Sequence, residues 1–83
     1  MMNIKLYTKE GCTLCDEAME VLTELQESFA LHIEEIDIYK DDSLLEKYQL
    51  MIPVIEMDRK ILQYGKIDKI FLRKRLLEQT NVD

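Results

Sequence analysis

Between Thr8 and Leu14 the spacing of apolar residues changes from every second position to every third or fourth, and no other feature limits the fold as much. Asn3 to Thr8 alternates, with Ile4 and Leu6 on one side and Lys5 and Tyr7 on the other, as a strand covered on one face requires. Lys9-Glu10-Gly11 breaks that pattern. Leu14, Ala18, Val21, Leu22 and Leu25 then recur at helical spacing. Leu31 to Ile38 returns to strand composition, so the chain opens as strand, helix, strand. Two strands joined by one helix pair in parallel through a right-handed crossover.

The remaining elements follow from local signals. In the second strand the alternation changes phase between Ile33 and Ile36, across adjacent Glu34 and Glu35, which predicts a bulge. Ser43-Leu44-Leu45-Glu46 has the form of a capping box and predicts a short helix reaching about Gln49. Pro53 has no amide proton and belongs at the start of a third strand, Val54 to Met57. Asp58-Arg59 forms a tight turn into a fourth strand, Lys60 to Gln63, which Tyr64-Gly65 ends. Asp68 can cap a last helix running to about Gln79. The expected fold is therefore α/β, in the order βαβαββα, with a four-stranded mixed sheet flanked by three helices. This is the arrangement of the thioredoxin-like superfamily. At 83 residues it is one domain, 1–83, with a single modest core.

Composition narrows the function classes. An apolar share of 47% with 34% charged residues is ordinary globular usage. The net charge is −6, with residues 1–42 carrying three lysines against eleven acidic groups. Such a chain is a poor nucleic-acid binder. No apolar stretch is long enough for a signal peptide or a membrane span, so a cytoplasmic protein without membrane contact is expected. Only two cysteines occur, two residues apart, which excludes an extracellular disulfide framework and fits a reducing compartment. A monomer is expected.

Those two, Cys12 and Cys15, sit where the first strand gives way to the helix. First-turn amides have no partners within a helix and present partial positive charge, which favours a thiolate at Cys12. Cys12 is thus the candidate nucleophile. Cys15, one turn later, can attack a mixed disulfide formed on Cys12 and release the reduced substrate. Glu10, Asp16 and Glu17 oppose the thiolate, and Lys9 is the one nearby cation in the sequence. The competing reading, half of a zinc site, would need two further ligands. No metal is expected, and the single histidine, His32, reads as an ordinary strand residue. Glu17, Glu20, Glu24 and Glu27 read as the solvated face of the first helix, and the basic residues around Arg73 as complements to the last helix's dipole.

The run Leu6-Tyr7-Thr8-Lys9-Glu10-Gly11-Cys12-Thr13-Leu14-Cys15, followed by an amphipathic helix, resembles the opening of a glutaredoxin. The similarity continues through Glu35-Ile36-Asp37-Ile38, Met51-Ile52-Pro53-Val54 and the terminal helix, and so covers essentially the whole chain. The resemblance implies a thiol–disulfide oxidoreductase with no tightly bound cofactor and glutathione as a co-substrate. It implies a cis Pro53 facing the cysteines, with the backbone of Ile52 pairing with an extended substrate or with glutathione. It also implies that Lys9 and Gly65 help to bind that substrate. Partners would be a protein disulfide or a glutathionylated substrate, with glutathione or a thioredoxin-type reductase as electron donor. Two alternatives come with it: a glutathione-dependent monothiol mechanism on Cys12 alone, and a binding module sharing an iron–sulfur cluster between two chains. The chain departs from the glutaredoxin pattern at Thr13-Leu14, at Met51, and at Tyr64, which occupies the first of a pair of glycine positions. These departures favour a protein disulfide as substrate.

Overall fold

A computed structural model describes residues 1–80. Strand β1 spans Met2–Thr8, helix α1 Thr13–Leu25, and strand β2 Leu31–Asp37. A single 3₁₀ turn, Ile38–Lys40, leads to helix α2, Asp42–Tyr48. Strands β3, Val54–Met57, and β4, Lys60–Tyr64, form a hairpin, and helix α3, Lys69–Thr80, closes the described chain. The sheet order is β2-β1-β3-β4. β1 and β2 are parallel, whereas β3 runs antiparallel to both β1 and β4. The expected βαβαββα thioredoxin-like architecture is the one observed.

Side-chain alternation in the central strands assigns the layers. Ile4 and Leu6 of β1 and Ile55 and Met57 of β3 bury against Ala18, Leu22 and Leu25 of α1 and Leu72 and Leu76 of α3. Tyr7 and Val54 point the other way and bury with Ile38 and Tyr48, with Leu44 and Leu45 of α2 packed on them. Thus α1 and α3 cover one face and α2 covers the other. Each fully buried leucine in the larger layer contributes roughly 1.5–3 kcal/mol relative to exposure.

Three local expectations are corrected. β2 carries no bulge: its pairing with β1 is unbroken from Met2 opposite Leu31 to Thr8 opposite Asp37. The change of phase arises because β2 is an edge strand covered by different helices along its length. Leu31 and Ile33 pack into the α1/α3 layer, and Ile36 packs into the α2 layer on the opposite face. The irregular pairing lies instead between β3 and β4, where Ile55 opposes Gln63 but Glu56 opposes Ile61. The intervening residue, Leu62, is buried in the α1/α3 layer.

Helix α2 is not capped by Ser43. Asp41 is extended, and its Oδ1 accepts from the backbone N–H of Ser43 at 2.9 Å and of Leu44 at 3.4 Å. The Ser43 hydroxyl donates to the same oxygen at 2.7 Å, so it supports the cap rather than forming it. These three bonds, led by the Ser43 hydroxyl, hold the Asp41 carboxyl below the usual carboxylate range. The third correction is the end of strand two: Ile38 belongs to the 3₁₀ turn, which Asp37 caps through the N–H of Tyr39 at 2.9 Å. Asp68 caps α3 as expected, accepting from Ile70 at 2.8 Å and Phe71 at 3.2 Å. The Asp58-Arg59 turn has both residues in the left-handed region, φ 50° and 68°, as a two-residue hairpin turn requires.

Candidate active site

Cys12 is the N-cap of α1, with extended backbone, φ −103° and ψ 105°. Its Sγ accepts the N–H of Cys15 at 3.0 Å, so sulfur takes the place that a serine or aspartate oxygen usually holds at a helix start. The two cysteines are joined as a disulfide with Cα atoms 5.2 Å apart. They differ in access: Cys12 is half-buried, while Cys15 is only 3% exposed beneath the first turn of α1. Gly11 lets the chain turn from β1 into α1. Its φ of +68° lies in the left-handed region, where a side chain is strained, although a Cβ there would touch nothing within 4 Å.

The Ile52–Pro53 peptide bond is cis, as the resemblance implied. Pro53 is buried and immediately precedes Val54, which pairs with Tyr7 of β1. The β1–α1 loop leaves from Thr8, one residue beyond Tyr7, so that loop and Pro53 emerge at the same end of the sheet. Gly65, also left-handed, fastens the segment before β3: its N–H lies 3.1 Å from the Met51 carbonyl and 2.8 Å from the Pro53 carbonyl. Among the described residues, Met51 N–H also has a partner, the Tyr48 carbonyl at 2.8 Å, whereas the N–H and C=O of Ile52 take part in no hydrogen bond. Ile52, Pro53 and Gly65 are therefore one unit. Lys9 is exposed and lines a groove on the β2 side of the loop, with Glu10, Gly11, Glu35, Asp37 and Asp41.

Sequence reading missed a polar cluster under this end of the sheet. The hydroxyls of Tyr7 and Tyr48 both donate to Oε2 of Glu56, at 3.3 and 3.2 Å, and the two rings stand 4.7 Å apart. Burial, followed by the negative charge of Glu56, pushes the Tyr7 hydroxyl up to about 12. The available signal was parity, since Glu56 follows Val54 by two and must face α2 with it; the partners, 49 positions apart in one case, could not be read locally. Among the described residues, no group of three or more His, Cys, Asp or Glu side chains is arranged to hold a metal ion.

With this geometry established, known proteins give a consistent comparison. Residues 3–79 match the family of the glutaredoxin-like domain. The chain belongs to the glutaredoxin-like family. A Dictyostelium discoideum protein described as a glutaredoxin-like protein YDR286C homolog is 35% identical over 74 residues, which is 82% of this chain and 68% of that protein. Among solved structures, the structural-genomics target XcR50 from X. campestris superposes on this glutaredoxin-like protein with a TM-score of 0.79. It is 29% identical, with 90% of this chain and 96% of that chain covered. Ne2328 from Nitrosomonas europaea gives a TM-score of 0.77 at 27% identity, with 86% of each chain covered. A mutant thioredoxin from Halobacterium salinarum gives 0.71 at 18% identity, covering 99% of this chain and 77% of that one, and shares the fold. Among the described residues of this glutaredoxin-like protein, no helix is long and apolar enough to cross a membrane.

Proposed function

We propose that the protein is a cytoplasmic thiol–disulfide oxidoreductase in which Cys12 is the nucleophile and Cys15 the resolving thiol. One observation carries the reading: the half-buried Cys12 sulfur caps α1, while Cys15 lies buried within bonding distance behind it. A helix start stabilises the thiolate, and the difference in access lets an incoming disulfide reach one sulfur and not the other.

In the reduced protein the Cys12 thiolate attacks one sulfur of a substrate disulfide. The substrate's S–S bond breaks, a mixed disulfide forms, and the other substrate sulfur leaves as a thiolate that takes up a proton. Cys15 then gives up its proton and attacks the Cys12 sulfur, which expels the second substrate thiolate and leaves the Cys12–Cys15 disulfide. Two electrons pass from protein to substrate. A low-molecular-weight thiol such as glutathione, or a dithiol reductase, returns them. The free N–H and C=O of Ile52 suit pairing with an extended substrate backbone, which holds its sulfur opposite Cys12.

The test compares disulfide reduction by the wild type, Cys12→Ser and Cys15→Ser. Cys12→Ser is expected to lose activity entirely, and Cys15→Ser to accumulate a mixed disulfide visible by mass spectrometry. Activity in Cys12→Ser equal to the wild type removes the proposal. Full turnover of glutathionylated substrates by Cys15→Ser would instead support a monothiol mechanism.

A further inference from the structure

We infer that this site selects disulfides carried by cationic polypeptide segments over anionic ones such as oxidised glutathione; the inference rests on the exchange reaction proposed above. The observation behind it is the groove that borders the Cys12 loop. Its walls come from four elements: Glu10 from the loop itself, Asp16 from the first turn of α1, Glu35 and Asp37 from β2, and Asp41 from the cap of α2. The parallel register makes this convergence unavoidable, because Leu6 opposite Glu35 and Thr8 opposite Asp37 set the β2 carboxylates level with the end of β1.

Against these carboxylates the groove sets, among the described residues, only Lys9 and Lys40. The ion pairs among the described residues lie elsewhere, Lys69 with Glu24 and Arg75 with Glu78, and engage none of the groove's acids. Asp37 and Asp41 accept backbone hydrogen bonds, which anchor the two side chains without pairing either with a cation. The surface beside the Cys12 loop is therefore net negative on the side away from Pro53. The exposed face of α1 extends the same sign through Glu17 and Glu20.

A concave surface of one sign raises the local concentration of oppositely charged ligands and their association rates, by about 10-fold to 1,000-fold at low salt. Glutathione carries more carboxylates than ammonium groups and is repelled. A segment with lysine or arginine beside its cysteine is attracted, with its backbone free to pair with Ile52. The reaction is the one already written: two electrons leave the Cys12–Cys15 dithiol and the substrate's S–S bond is cleaved to two thiols. The groove changes how often the sulfurs meet, not the bonds exchanged.

The experiment uses the reduced full chain and follows its oxidation by three probes: an intramolecularly disulfide-bonded peptide with flanking lysines, the same peptide with flanking glutamates, and oxidised glutathione. The lysine peptide is expected to react at least about 10-fold faster than either anionic probe at low ionic strength, with the ratio collapsing in high salt as the charges are screened. In the triple variant Glu10→Lys, Asp16→Lys, Glu35→Lys, all at exposed positions, the ratio should invert. Using the ratio of two probes removes any change in thiolate fraction that the new lysines cause. Equal rates for the two peptides, or a faster glutamate peptide, would overturn the selectivity while leaving the exchange chemistry standing. Failure to react with all three would overturn the exchange reaction and the selectivity with it.

Discussion

The two faces of the sheet bury different chemistry. Against α1 and α3 the sheet presents Ile4, Leu6, Ile55 and Met57 to leucines, and Thr8, buried at the end of β1, shares their face by alternation. Against α2 it presents Tyr7 and Val54, and the layer is completed by two tyrosine hydroxyls on one carboxylate. The larger face gains free energy chiefly from apolar area. The smaller face depends on directional bonds, which fix α2 and the segment after it at one position relative to β1 and β3. Stability and placement are therefore divided: one layer holds the fold together, the other aligns the end of the sheet from which Cys12 and Pro53 emerge.

Removing core volume tests the first half of that division. Leu22→Ala, at a fully buried position of α1, is expected to cost about 2–5 kcal/mol in denaturant unfolding. Its disulfide exchange rate should be little altered while the protein remains folded. A loss below about 1 kcal/mol would break the assignment of stability to this face.

Alkaline unfolding sharpens the second half. In the unfolded chain a tyrosine releases its proton near 10, whereas folded Tyr7 keeps its proton up to about 12. Between those values the unfolded state binds fewer protons, so the stability contributed by the neutral hydroxyl is complete below about pH 10 and declines as pH rises toward 12. Tyr7→Phe should flatten this decline relative to the wild type; an unchanged profile would mean that another group sets it.

A smaller effect is expected of Tyr48→Phe, which deletes one of the two donors to Glu56 and should cost about 1–2 kcal/mol. If this layer aligns the site, the exchange rate should fall with it even where the protein is fully folded. The smallest effect belongs to Lys69→Ala. Its ion pair with Glu24, 3.6 Å long and about half exposed on both sides, should contribute about 0.5 kcal/mol or less and vanish in salt.

Much of this architecture was legible because its signals are local. The switch of period around Gly11, the turn at Asp58-Arg59, the cap at Asp68 and the helix-start cysteine each occupy a few consecutive residues. What escaped depends on pairing across the sheet. The adjacent Glu34 and Glu35 imitate a bulge, because periodicity cannot show that Ile33 and Ile36 are covered by helices on opposite faces. The preference of Asp41 over Ser43 as a cap is a contest between two good candidates, decided by which residue takes the extended backbone. Glu56 reads as an unremarkable polar strand position until Tyr7 and Tyr48 are brought to it. The groove, likewise, gathers acids that lie far apart in the chain.

The same pair of glutamates on β2 has a further effect on the protein's behaviour in concentrated solution. β2 is an outer strand of the sheet, so one side of its backbone is open to pairing with another chain. A second copy adding itself there would set strands dense in carboxylates, Glu34, Glu35 and Asp37, against one another at a spacing of about 4.8 Å. Charge repulsion at that distance works against edge-to-edge stacking, so the residues that disrupt the strand's pattern also guard it against aggregation.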